Sequence, residues 1–118
     1  IPGKYSKPDG CIILAWDNSD CVGCIAMRPS ENFDCEIKRL YVKPSYRSIG
    51  LGRLLTEKIV EYCKERKYSK IRLDTLNRMQ SAIGLYKSLG FVETVPYYNN
   101  PLPDVLYFEL NIADTTIL

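Results

Sequence analysis

The stretch Leu51–Lys67 carries Leu51, Leu55, Ile59, Tyr62 and Cys63 at helical spacing, with Glu57, Lys58, Glu61, Lys64, Glu65 and Lys67 on the wetter side. Two strand-like runs flank it, Cys35–Val42 (CEIKRLYV) and Ile71–Leu76. A strand, a helix and a strand in that order make a crossover, and a crossover joins parallel neighbours. The unit excludes an all-helical or purely antiparallel chain.

The rest of the sequence builds onto this unit. Residues 1–10 are rich in Pro, Gly and Lys and read as an extended lead-in. Cys11–Trp16 and Cys21–Arg28 read as a hairpin around a four-residue loop, Asp17-Asn18-Ser19-Asp20. Simple alternation in Cys35–Val42 places Ile37, Arg39 and Tyr41 on one face, and Glu36, Lys38, Leu40 and Val42 on the other. A second helix follows Asn77, which reads as its N-cap with Gln80 three residues on. Its apolar stripe is Met79, Ala82, Ile83, Tyr86 and Leu89, and Gly90 supplies a left-handed stop. Phe91–Tyr98 and Val105–Ile112 are the last strands. The order predicts a mixed α/β sheet in one domain, without internal repeats or low-complexity segments.

Composition narrows the chemistry. The 118 residues include no histidine, which removes Ser-His-Asp and Cys-His hydrolases, His-ligated metals and His bases together. Acid–base work falls to Glu, Asp, Tyr, Lys or Cys. Five cysteines stand at 11, 21, 24, 35 and 63, and the CxxC of Cys21 and Cys24 has no second pair. Free thiols in a reducing compartment, hence a cytoplasmic location, are expected, with no metal. The net charge of +2 is too small a bias to argue for nucleic acid or a membrane surface. No apolar run approaches the roughly 18 residues of a membrane span.

Between the third strand and the first helix lies Arg47-Ser48-Ile49-Gly50-Leu51-Gly52-Arg53. Glycines before a helix let backbone N–H groups approach a ligand, and the helix N-terminus and two arginines favour negative charge. A pyrophosphate is the natural guest. The nucleotide P-loop needs Gly-Lys-Ser/Thr, where this chain has Gly52-Arg53-Leu54. The dinucleotide fingerprint needs a small residue at Leu55, so it fails as well.

Arg47-x-x-Gly50-x-Gly52 resembles the Arg/Gln-x-x-Gly-x-Gly/Ala motif of the GNAT superfamily of acetyl-CoA-dependent N-acetyltransferases. The resemblance extends upstream through Glu36-Ile37-Lys38-Arg39-Leu40-Tyr41-Val42-x-Pro44, and downstream through Met79-x-x-Ala82-Ile83-x-Leu85-Tyr86-x-x-x-Gly90-Phe91. It covers roughly residues 10–112. Its implication is a GNAT fold, a mixed, mostly antiparallel sheet with a central parallel strand pair and packed helices. The activity implied is transfer of acetyl from acetyl-CoA to a primary amine by direct attack in a ternary complex.

The resemblance also implies roles. The backbone at Leu40, Tyr41 and Val42 would pair with the pantetheine arm, and one N–H would polarise the thioester carbonyl. Arg47, Ser48, Ile49, Gly50, Leu51, Gly52 and Arg53 would hold the pyrophosphate. Tyr86 corresponds to the tyrosine that protonates the departing sulfur; read alone, it is a core residue. Glu36 corresponds to a region where relatives carry a base, and a salt-bridged Glu is the competing reading. Cys35 reads as a small buried hydrophobe rather than an acyl carrier. Many relatives have a CoA-contacting Asn where this chain has Met79, and Asn77 is the nearest substitute. Val95-Pro96-Tyr97-Tyr98-Asn99-Asn100-Pro101 resembles a segment of small bacterial-type members, so Tyr98 and Asn100 are expected to line the acceptor pocket with Glu36. Family members open with a strand and two helices absent from this sequence, which points to a missing N-terminal part. The acceptor is expected to be a small-molecule or peptide amine, with no nucleic-acid or membrane partner, and a homodimer through the C-terminal strands stands beside a monomer. The alternative function is a non-catalytic GNAT-like module that binds CoA as a regulator.

Overall fold

A computed structural model describes residues 10–97 and 102–113. β1 (Cys11–Asp17), β2 (Asp20–Pro29) and β3 (Asp34–Val42) form an antiparallel meander. α1 (Leu51–Glu65) crosses to β4 (Lys70–Leu76), and α2 (Gln80–Ser88) leads to β5 (Val92–Thr94) and β6 (Val105–Asn111). The sheet order is β1-β2-β3-β4-β6-β5, with β3 and β4 parallel, as the crossover requires, and the other pairs antiparallel.

The helical stripes meet one face of this sheet. Leu55, Ile59 and Cys63 from α1 and Ile83 and Tyr86 from α2 pack with Ile25, Met27, Cys35, Ile37, Ile71, Leu73 and Phe108. Each large apolar side chain fully buried there contributes roughly 1.5–3 kcal/mol. Gly23 lets α1 settle closely on β2, because a Cβ there would lie 3.0 Å from the Tyr41 carbonyl oxygen and 3.2 Å from Leu55 Cδ1.

Several local expectations are corrected. The hairpin loop is two residues, because Asp17 pairs with Asp20 and Asn18 takes the left-handed φ of 55° that closes the turn. α1 ends at Glu65 rather than Lys67, since Lys67 turns left-handed and Tyr68 N–H folds back onto the Cys63 carbonyl at 3.2 Å. β5 is short, and Pro96 lies just beyond it. Strict alternation in β3 also fails. Ala26 pairs with Arg39 and Met27 with Ile37, so Lys38 is the extra residue of a β-bulge. Cys35 and Ile37 face the helices before the bulge, and Leu40 and Val42 do so after it. Tyr41 is thereby turned outward and is 50% exposed.

Candidate active site

β3 and β4 share only three pairs, Asp34 with Lys70, Cys35 with Ile71 and Glu36 with Arg72. Both strands continue past this ladder, β3 to Val42 and β4 to Leu76, so a cleft opens between them. The bulge at Lys38 bends β3 where the strands part. Lys43 N–H donates to the Val22 carbonyl at 2.8 Å, and strand alternation gives Tyr41 the same direction, towards β2. The backbone groups of Leu40 and Val42 therefore face the cleft. The Val42 carbonyl accepts a hydrogen bond from Arg47 Nε at 2.8 Å, and the Arg47 guanidinium lies 5.9 Å from the Tyr41 ring centroid.

The loop above the cleft enters α1 through left-handed backbone. Ser48 and Gly50 take φ values of 67° and 88°. Gly50 caps α1 without a side-chain hydrogen bond, and the first helical bond runs from Leu54 N–H to the Gly50 carbonyl at 3.0 Å. The N–H groups of Leu51, Gly52 and Arg53 thus lead the helix axis. A Cβ on Gly50 would meet nothing within 4 Å, so the space before these donors is open, and Ile49 is exposed. Arg53 turns sideways: its Nη2 donates to Ser88 Oγ at 2.6 Å, and Ser88 Oγ donates to the Leu85 carbonyl at 2.7 Å. This tie between the start of α1 and the end of α2 left no trace in the sequence, because its partners stand far apart in the chain.

Tyr86 is 5% exposed and its ring lies 5.7 Å from that of Phe91. Burial pushes its phenol up to about 12. Glu36 lies on the opposite face of the sheet, where Lys38 Nζ stands 3.0 Å from its carboxylate. Arg72 Nη1 stands 3.3 Å from a carboxylate oxygen of the buried Asp34, an ion pair. The Arg72 guanidinium lies 5.6 Å from the Tyr97 ring, which meets Tyr107 edge-on at 5.2 Å. Burial raises the Tyr97 phenol well above its usual range, and the nearby Asp74 and Glu36 carboxylates raise it further. Arg72 and Asp74 were not singled out in the sequence, whereas Tyr97 stands in the 95–101 segment expected at the acceptor pocket. The available signal was the alternation of Lys70, Arg72 and Asp74 with the core residues Ile71 and Leu73.

Asn77 does not cap α2. The helix starts later, at Gln80 after Met79, and the Gln80 side-chain amide instead donates to the Asn77 carbonyl. Asn77 N–H donates to the Asp104 carbonyl at 2.8 Å, which holds it outside the helix. A cavity of about 510 Å³ opens here, lined by Leu76, Asn77, Arg78, Leu102, Pro103 and Asp104. Met79, expected in the apolar stripe, is 47% exposed. Tyr98 and Asn100 lie outside the described residues. The five cysteines are free thiols, with Cys35 and Cys63 buried and their sulfurs 3.4 Å apart.

A split parallel pair at the centre of a mostly antiparallel sheet, roofed by a glycine loop and a helix N-terminus, defines the acyl-CoA N-acyltransferase fold. The Acetyltransferase (GNAT) family model matches residues 3–91, and the chain belongs to that family. An uncharacterized N-acetyltransferase of Schizosaccharomyces pombe is 43% identical over 112 residues, covering 93% of this chain and 69% of that protein. N-acetylaspartate synthetase of Xenopus tropicalis is 32% identical over 93% of this chain, and the chain spans only 44% of its length. Among solved structures, a GNAT-family acetyltransferase of Staphylococcus aureus superposes with a TM-score of 0.81 at 27% identity, covering 92% of this chain and 72% of that one. An acetyltransferase of Bacillus anthracis, solved with acetyl coenzyme A, gives 0.78 at 26% identity over 91% of this chain and 65% of that one. Fold and family together make this an acetyl-CoA-dependent N-acetyltransferase.

Proposed function

We propose that the chain transfers acetyl from acetyl-CoA to a primary amine by direct attack, with the pantetheine arm in the β3–β4 cleft. The observation that carries this reading is the parting of β3 and β4 beneath the loop at Arg47–Arg53. The N–H groups of Leu51, Gly52 and Arg53, with the Arg47 charge, hold the pyrophosphate. The backbone of Leu40 and Val42 continues the line of donors and acceptors along the arm, and one N–H there polarises the thioester carbonyl. Tyr86, across the sheet from Glu36, gives its proton to the departing sulfur. Its high pKa keeps the proton in place until thiolate character develops.

Acceptor identity is set by the polar face around Glu36 and by the segment holding Tyr98 and Asn100. The acceptor is a small molecule or a peptide with a free amine. Free thiols support a reducing, cytoplasmic setting.

The test is thiol release from acetyl-CoA across a panel of amines: amino acids, polyamines, aminoglycosides and peptides with free N-termini. Amine-dependent CoA release, with the acetylated amine identified by mass spectrometry, is the expected result. Binding of acetyl-CoA without acetylation of any amine contradicts a transferase and favours a CoA-binding regulator.

A further inference from the structure

Glu36 is the carboxylate that the family resemblance offers as the base, yet its position limits it. It sits at the last β3–β4 pair, opposite Arg72, with the Lys38 ammonium at 3.0 Å. Asp74 lies two residues further along β4, on the same face as Arg72, past the point where the strands part. A strand rises about 3.3 Å per residue, so Asp74 stands about 7 Å deeper along the cleft than that last pair. It faces away from the Ile71 and Leu73 core, and its charge is felt at the Tyr97 phenol. Tyr86 belongs to the opposite, helix-covered face. A thioester threaded between the strands therefore has Tyr86 on the helix-covered side and Asp74 on the opposite side, the one left for an amine.

Resting on the transfer reading above, we propose that Asp74 is the catalytic base that takes the amine proton, and that Glu36 orders the charges around it. As the N–C bond forms, the nitrogen proton passes to an Asp74 carboxylate oxygen. As the C–S bond breaks, the sulfur takes the Tyr86 proton. Asp74 and Tyr86 then return to their starting states by exchange with water. Asp74 pairs with Tyr107 on β6, Arg72 stands two residues before it on the same face of β4, and the Tyr97 phenol after β5 feels both the Asp74 and Glu36 charges.

The experiment uses the full chain with acetyl-CoA and four probes: spermidine, lysine methyl ester, a tripeptide with a free N-terminus, and water alone. Asp74→Asn should lower kcat about 100-fold on every probe the wild type turns over, the scale typical of a lost general base. Calorimetry should find its acetyl-CoA affinity within about two-fold of wild type, which also shows that the variant is folded. Asp74→Glu should recover most of the rate, and Glu36→Gln, which removes a charge beside the site but not the base, should lose less than Asp74→Asn does. Undiminished kcat in Asp74→Asn, or a larger loss in Glu36→Gln, overturns the assignment. A wild type that binds acetyl-CoA and releases no thiol overturns it together with the transfer reading, while absent binding removes the cofactor site itself.

Discussion

Phe91 N–H donates to the Tyr86 carbonyl at 3.0 Å, and the two rings lie 5.7 Å apart at 57°. Gly90 makes this closure possible with a φ of 98°, and its own N–H donates to the Lys87 carbonyl at 3.0 Å. The helix stop and the acid are thus one device: the turn that ends α2 fixes the ring proposed to protonate the leaving thiolate.

Removing that hydroxyl separates catalysis from binding. Tyr86→Phe should cut kcat about 100-fold while leaving acetyl-CoA affinity within a few-fold, measured by thiol release and calorimetry. Equal turnover would end its role as acid.

Burial of the same phenol has a signature in stability. Its folded pKa of about 12 lies above the ordinary 10, so the folded state holds this proton more tightly. That contribution is fully present below pH 10 and is lost as the pH rises through about 12. Thermal melts across this alkaline range should fall more steeply for wild type than for Tyr86→Phe. Parallel slopes would contradict the buried, protonated phenol.

The phosphate loop makes a different prediction. Arg47→Glu should weaken CoA binding at least about ten-fold, by replacing attraction at the helix N-terminus with repulsion. Gly50→Val should do the same through the backbone, because a β-branched residue at a φ of 88° is strained by about 1–3 kcal/mol. Calorimetry at modest salt reads both, and unchanged affinity in Arg47→Glu would place the pyrophosphate elsewhere.

Gly23 tests the scaffold. Its Cβ would crowd the Tyr41 carbonyl at 3.0 Å and the Leu51 and Leu55 side chains at 3.4 and 3.2 Å. Gly23→Val should cost about 1–3 kcal/mol in urea unfolding, as overpacking does. A wild-type midpoint would mean that α1 sits further from β2 than described.

Helices, strands and the parallel crossover were legible because their signals are local: Leu55, Ile59 and Cys63 repeat at helical spacing, and Gly90 marks its own stop. The bulge was not legible. Nothing in Cys35–Val42 says that Lys38 is extra, because the register comes from pairing with Ala26 and Met27. Asn77 reads as a cap by residue type, but a backbone bond to Asp104 takes it out of the helix. Glu36 stood out by its place in a motif, whereas Asp74 gains meaning only once β3 and β4 are seen to part below it. Tyr98 and Asn100 lie beyond the described residues, so their expected contact with the acceptor rests on sequence.

The most direct measurement is calorimetric titration of the chain with acetyl-CoA, CoA and ATP in turn, at modest salt. Binding of acetyl-CoA and CoA, with ATP much weaker, is predicted, because the cleft between β3 and β4 adds pantetheine contacts that ATP lacks. Equal binding of all three would reduce the site to an anion-binding loop, and no binding of acetyl-CoA would contradict the cleft as its seat.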